Sequence, residues 1–178
     1  MSQVKINQIE INNRAAQFIE DKQYVEAIRL LENNIGLTSS NTALLYNLAI
    51  AYEGVGDYSQ AMDFLKKALD SEKEKKAEIL GEMAYCLFKQ ENYDEAMDMC
   101  ESALSVDAAC SRVWNLKGVL LFLGKSYEQA YECFEKSVEI DSSCADAWFN
   151  LADTCELLGK KEREKQARAM YDKLIKGE

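Results

Sequence analysis

Six cysteines are the side chains of this 178-residue sequence best suited to reactive chemistry. Cys133, Cys144 and Cys155 lie eleven residues apart, a spacing that invites a metal or redox reading. The rest of the sequence opposes it, because there is no histidine and no C-x-x-C pair. Without histidine, Cys–His and Ser–His nucleophilic pairs, the commonest general base and most zinc sites are missing. Cys100 and Cys155 sit where small hydrophobes are expected, and Cys110 and Cys144 occupy equivalent places in a recurring turn. The stretch "EGVGDY" (residues 53–58) has glycines but no following lysine–threonine, so it is not a phosphate cradle. The many carboxylates read as the solvated faces of amphipathic helices. The expectation is a non-enzyme, with no catalytic residue, metal or cofactor.

Charge narrows the partners. The sequence carries 21 Lys and Arg against 31 Asp and Glu, a formal net charge of −10. Nucleic acid needs a basic footprint, and anionic membrane surfaces attract polybasic segments, so neither is an expected partner. The opening "MSQVKINQIEINNRAAQ" has no apolar signal core, and no run of about 18 apolar residues occurs anywhere. A chain neither secreted nor membrane-spanning is expected, and cysteines without a tight framework fit a reducing cytoplasm.

The elements that must position these residues are helices. In Trp114 to Ile140, Trp114, Gly118 and Leu121 fall three or four residues apart, on one helical face. "GKSY" then breaks the pattern. Tyr127, Ala130, Phe134 and Val138 make the inward stripe of a second helix, with Gly118 and Ala130 small enough for close backbone approach. One hairpin cannot bury its own apolar face, so it needs neighbours. They are there: Tyr24/Ala27, Tyr58/Ala61, Tyr93/Ala96 and Tyr127/Ala130 recur at intervals of 34, 35 and 34 residues. In phase with them run a small residue (Ala15, Ala49, Ala84, Gly118, Ala152) and, four earlier, a large one (Ile11, Leu45, Leu80, Trp114, Trp148). A fixed period near 34 with helix–turn–helix content predicts a helical array.

This pattern resembles the tetratricopeptide repeat, and Leu45, Leu48, Ala49, Tyr52, Ala61, Leu65 and Ala68 all fall on family positions. The resemblance implies an all-α, right-handed superhelical solenoid of about five hairpins, one continuous domain over 1–178. The expected repeats are 8–41, 42–76, 77–110, 111–144 and 145–178, the last helix acting as a C-terminal cap. Residues 1–7 precede the first repeat and are expected to fray. Repeat one departs most, with Arg14 and Asn34 at apolar positions, which suits an end repeat. Repeat two carries one extra residue, placed in "SEKEKK" (71–76). In the last helix Lys161 and Glu164 replace tyrosine and alanine, but a stripe of Ala167, Met170 or Tyr171, and Leu174 remains. The family's usual closing proline is absent throughout. Side-chain capping in "DAACS" and "DSSCA" must therefore stop those helices, and looser inter-repeat turns are expected.

The resemblance also implies a concave groove lined by the first helix of each hairpin. Its positions are Tyr46, Asn47, Ile50, Glu82, Tyr85, Phe88, Arg112, Asn115, Val119, Phe122, Phe149 and Asn150, the expected partner-binding residues. Leu123 and Asp153 share that face. The aromatics among them are either exposed or partly packed between adjacent first helices. Exposed apolar surface marks binding sites, and the acidic surroundings favour a protein or peptide ligand with apolar anchors and some basic character. The family's carboxylate clamp for acidic chaperone tails is expected to be absent. Asn47 fits it, but Asn12, Ala16, Glu78 and Glu82 stand where its other groups would be. The expected function is a non-enzymatic interaction scaffold that binds a peptide or helix in its groove. The alternatives are a self-associating platform (a homo-oligomer) or a secretion-type chaperone holding an unfolded client segment.

Overall fold

A computed structural model of the chain describes residues 3–34, 36, 41–71 and 76–177. Among them every regular element is an α-helix: α1 Gln3–Glu20, α2 Tyr24–Glu32, α3 Thr42–Gly54, α4 Tyr58–Ser71 and α5 Lys76–Lys89. Then follow α6 Tyr93–Val106, α7 Ser111–Leu123, α8 Tyr127–Ile140, α9 Ala145–Leu157 and α10 Lys161–Lys176. The all-α hairpin pattern read from the period is therefore the observed one. The chain divides into two compact units, Met1–Asn92 and Tyr93–Glu178. In the first unit α1 packs on α2 and α3, α2 on α3, α3 on α4, and α4 on α5. In the second, α6 packs on α7, α7 on α8, α8 on α9, and α9 on α10, while the first helices α7 and α9 also meet.

Both small-residue positions of the repeat are buried. Ala27, Ala61, Ala96 and Ala130 on the second helices have no exposed surface, nor do Ala15, Ala49 and Ala84 on the first. At Gly118 the reason for smallness is explicit. A Cβ there would stand 2.5 Å from Cε1 of Phe134, well inside van der Waals contact. Glycine lets the ring, 1% exposed, come close against α7 at this position. Phe134, Ala130, Val138, Trp148, Leu151 and Cys155 continue from there as the core of the second unit.

The turn inside each hairpin is one motif used five times. Lys22, Gly56, Glu91, Lys125 and Gly159 all adopt positive φ, between 57° and 81°. Each donates its N–H to a carbonyl three residues back, and the next residue donates to one five back. Thus Gly56 bonds Glu53 and Asp57 bonds Tyr52, while Lys125 bonds Phe122 and Ser126 bonds Leu121. This is the Schellman helix stop, and it needs a left-handed residue, which glycine supplies without a steric penalty. Three of the five sites carry a side chain there instead.

The inter-repeat turns differ from expectation. Those at 107–110 and 141–144 are not loose. Oδ1 of Asp107 accepts from the N–H of Ala109 at 2.8 Å, and Oδ1 of Asp141 from the N–H of Ser143 at 2.9 Å. The Ser143 hydroxyl and N–H hold the Asp141 carboxyl below the usual carboxylate range. The large residue of the next helix closes each turn, Trp114 Nε1–H donating to the Ala108 carbonyl and Trp148 Nε1–H to that of Ser142, both at 2.9 Å. Aspartate, as the expected side-chain cap, and tryptophan together close the turns that the family usually ends with proline. The extra residue assigned to "SEKEKK" falls largely on 72–75, outside the described residues. At the other end, α1 is helical from Gln3, so the segment 1–7 is not a frayed leader over its described part; it contains no proline or glycine to stop the helix.

The last helix seals the second unit, with Ala167 buried and Met170, Tyr171 and Leu174 packed on the core. A polar clamp reinforces it. Arg163 on α10 donates Nε–H and Nη2–H to the two oxygens of Glu135 on α8, each at 2.6 Å, and its guanidinium lies 5.3 Å from the Trp148 ring centroid. Burial works to raise the Glu135 carboxyl, but hydrogen bonds from Arg163 and Tyr131 and the Arg163 charge outweigh it, and the carboxyl is held below its usual value. Burial, with the Glu135 carboxylate beside it, pushes the Tyr131 hydroxyl the other way, up to about 12.

Two predictions follow from turn and clamp. Lys125→Gly relieves a left-handed side chain and should stabilise the chain by about 0.5–1 kcal/mol in urea unfolding, whereas Gly159→Ala should cost about 1 kcal/mol. A carboxyl whose folded-state pKa is lowered adds stability above its unfolded value and loses it as pH falls through the lowered value. Glu135→Gln should therefore lose about 1–2 kcal/mol at pH 7, a figure kept low because the pair is partly exposed. As pH falls from about 5 to 3, the variant should also lose less stability than the parent chain does, compared by thermal unfolding.

Candidate partner-binding face

The first helices leave one face uncovered by their own hairpin partners. In the first unit, Tyr46, Asn47 and Ile50 stand half-buried on α3, with Tyr85 exposed and Phe88 half-buried on α5. The Tyr85 ring meets Tyr58 of α4 edge-on at 6.4 Å, and Lys89 Nζ lies 6.0 Å from both ring centroids. In the second unit, Asn115, Val119 and Phe122 stand half-buried on α7 and Arg112 exposed, while α9 contributes half-buried Asn150 and exposed Phe149. Phe122 packs edge-on against Tyr127 at 5.2 Å, and Phe149 leans on Tyr171 of α10 at 5.4 Å. The aromatics are neither swallowed nor free. Tyr85, Phe122 and Phe149 each pack on a neighbouring ring, which restricts the side chain and leaves the rest of it to solvent.

Glu82 does not join them. It is 4% exposed and accepts a hydrogen bond from the Tyr46 hydroxyl at 3.1 Å. That contact belongs to a recurring polar rung between successive first helices. Asn47 Nδ2 donates to Asn12 Oδ1, and Asn150 Nδ2 to Asn115 Oδ1, both at 3.0 Å. In each case a residue two beyond the large repeat position bonds one a single place beyond it in the preceding repeat. A carboxylate at that position finds a phenol waiting and is drawn in, since an unmatched buried carboxylate is costly.

Between α7 and α9 the face deepens into a hollow of about 80 Å³ lined by Val119, Phe122, Leu123, Phe134, Asn150 and Asp153. Phe134, read in sequence as core only, forms part of the lining. Three carboxylates stand beside it around one guanidinium. Arg168 on α10 reaches Glu156 at 2.6 Å, Glu164 at 3.0 Å and Asp153 at 3.5 Å. Sequence reading missed Arg168, although its i, i+4 relation to Glu164 was visible.

The thiols are not placed for chemistry. Cys86, Cys100, Cys133 and Cys155 are buried, and Cys110 and Cys144 immediately precede α7 and α9 at their N-caps. Burial pushes the Cys100 thiol up to about 12 and raises Cys86, Cys133 and Cys155 as well, so the nucleophilic thiolate is suppressed at neutral pH. Among the described residues no group of three or more Cys, Asp or Glu is arranged to hold a metal ion, and no helix is long and apolar enough to cross a membrane.

Known proteins share this architecture. Two sequence models of the tetratricopeptide repeat match residues 53–120 and 111–144, and a model of a domain of unknown function matches residues 13–86. A BBSome complex member BBS4 homolog of Drosophila melanogaster is 25% identical over 108 residues, 61% of this chain. The match spans only 22% of that relative's length. Among solved structures, PilF of Pseudomonas aeruginosa superposes with a TM-score of 0.84 at 19% identity, over 97% of this chain and 78% of that one. MamA of Desulfovibrio magneticus RS-1, residues 41 to the end, gives 0.68 at 20% identity, over 99% and 96%. At such identities the likeness shows the fold: an all-helical repeat.

The rung makes its own prediction. Tyr46→Phe removes the hydroxyl that meets the buried Glu82 carboxylate and should cost about 1–3 kcal/mol in urea unfolding, with helical circular dichroism unchanged.

Proposed function

The chain belongs to the tetratricopeptide-repeat family, and on that premise we propose that it is a protein-interaction scaffold whose first-helix faces hold an extended peptide or a helix of a partner. The observation that carries this reading is the set of half-buried or exposed aromatics on the first helices: Tyr46, Tyr85 and Phe88 in the first unit, Phe122 and Phe149 in the second. A side chain already braced on one side loses little rotamer freedom when a ligand covers the other, so more of the contact energy appears as affinity. The asparagine pairs add polar recognition. Beyond the bond it shares, each pair keeps three amide N–H donors and a second amide oxygen, a match for the C=O and N–H of a passing peptide unit. That the Drosophila relative is named as a member of a complex fits a protein partner.

Chemistry also shapes the partner. With a net charge of −10 and the exposed acids Glu78, Asp146 and Glu156 on first helices, a ligand with apolar anchors and basic residues is the electrostatic complement. The ligand is a protein or peptide, bound without cofactor, and the cytoplasm is the compartment that free cysteines favour.

Panning a random peptide library on the full chain supplies a ligand for calorimetry. Phe88→Ala and Phe149→Ala should each weaken it by about 2 kcal/mol, roughly thirtyfold in Kd, without loss of helicity. Unchanged affinity in both variants would remove these faces from the function.

A further inference from the structure

The hollow between α7 and α9 is more specific than the face around it. Its walls are Val119, Phe122 and Leu123 from α7 and Asn150 and Asp153 from α9, with Phe134 of α8 beneath. Leu123 is 52% exposed, so the hollow opens past it to solvent. Its volume of about 80 Å³ is roughly half that of a cavity that holds benzene. An isopropyl or isobutyl group is therefore the right size, and a phenyl ring is too large. Phe134 remains at the bottom because Gly118 has no side chain to lift it.

The charge beside the hollow is unbalanced. Asp153, Glu156 and Glu164 face the single guanidinium of Arg168, which leaves two negative charges in excess. Arg168 makes its closest ion pair with Glu156, and Asp153 lies at the long end of the cluster at 3.5 Å. The Asp153 side chain is 40% exposed and lines the hollow itself, so a second cation can approach it from the open side.

We propose that this hollow is a specificity pocket: it seats one branched aliphatic side chain, of leucine, isoleucine or valine, from a partner segment that places a lysine or arginine against Asp153. This rests on the peptide-binding reading above and assigns the anchor within it. A second copy of this chain is a poor occupant on charge, since both copies carry −10.

The test uses a random twelve-residue peptide library displayed on phage and panned on the full chain. Selected sequences should share a branched aliphatic residue within a few positions of Lys or Arg. A labelled winner is then titrated, by fluorescence anisotropy, into Val119→Phe, which fills the hollow, and into Asp153→Asn, which removes the charge at an exposed position without a packing change. Val119→Phe should weaken the winner at least tenfold. Asp153→Asn should weaken it about three- to tenfold, and should have no effect on the same peptide with its cation replaced by alanine. Winners that lack the aliphatic–cation pair, or equal binding to Asp153→Asn, overturn the pocket. If Phe88→Ala and Phe149→Ala still weaken binding in that case, the pocket falls and the peptide-binding face stands. If no peptide is enriched over a matrix control, both readings fall.

Discussion

The ring of Phe134 occupies the space where residue 118 would otherwise carry a side chain, and much of the second unit depends on that contact. It sets how closely α7 and α8 approach, because a Cβ at position 118 would stand 2.5 Å from the ring. It ties the core of α8 and α9 to the back of α7, where Ala130, Leu151 and Cys155 pack around it. It also decides what the other side looks like. A ring held low leaves an open hollow above it, and a ring pushed up by a methyl group would fill that space. Packing and recognition here are two sides of one aromatic ring.

Polar contacts do a different job. Burial of small residues is nearly indifferent to a slide of one helix along another, whereas a hydrogen bond is not. The Asn47–Asn12, Tyr46–Glu82 and Asn150–Asn115 rungs each join residues 35 or 36 apart, and they fix the register of neighbouring first helices. The turns fix direction in the same way. Five left-handed residues stop the first helices, and two aspartate–tryptophan pairs close the inter-repeat turns. Rigid first helices are what allow half-buried aromatics to be presented rather than collapsed.

How much of this could be read from the sequence depended on distance along the chain. The Tyr-x-x-Ala period and the small-residue position follow from helical geometry within one hairpin, and they gave the all-α repeat and its buried alanines. The capping role of Asp107 and Asp141 is a local contact two residues long, and it was legible too. The Trp114 and Trp148 indoles were legible as large residues but not as turn closers, since their acceptors are backbone carbonyls that composition does not mark. Glu82 was least legible. A carboxylate on an amphipathic helix reads as solvated, and only the three-dimensional arrival of Tyr46 from the preceding repeat makes it a buried acceptor. Arg168 was hidden for the same reason, inside a run of charges that looked uniformly exposed. The face was legible in outline, and its hollow was not, because a hollow is a gap between three helices.

The central claim is that ligands meet the first helices and not the backs of the hairpins. Methyl chemical shifts of the isotope-labelled chain, recorded with and without a saturating selected peptide, address it directly. The account predicts that Val119 and Leu123 move while the exposed methyls of Val106, Ile140 and Ile175, on second helices, stay still. Movement of those three with Val119 and Leu123 unchanged would contradict it.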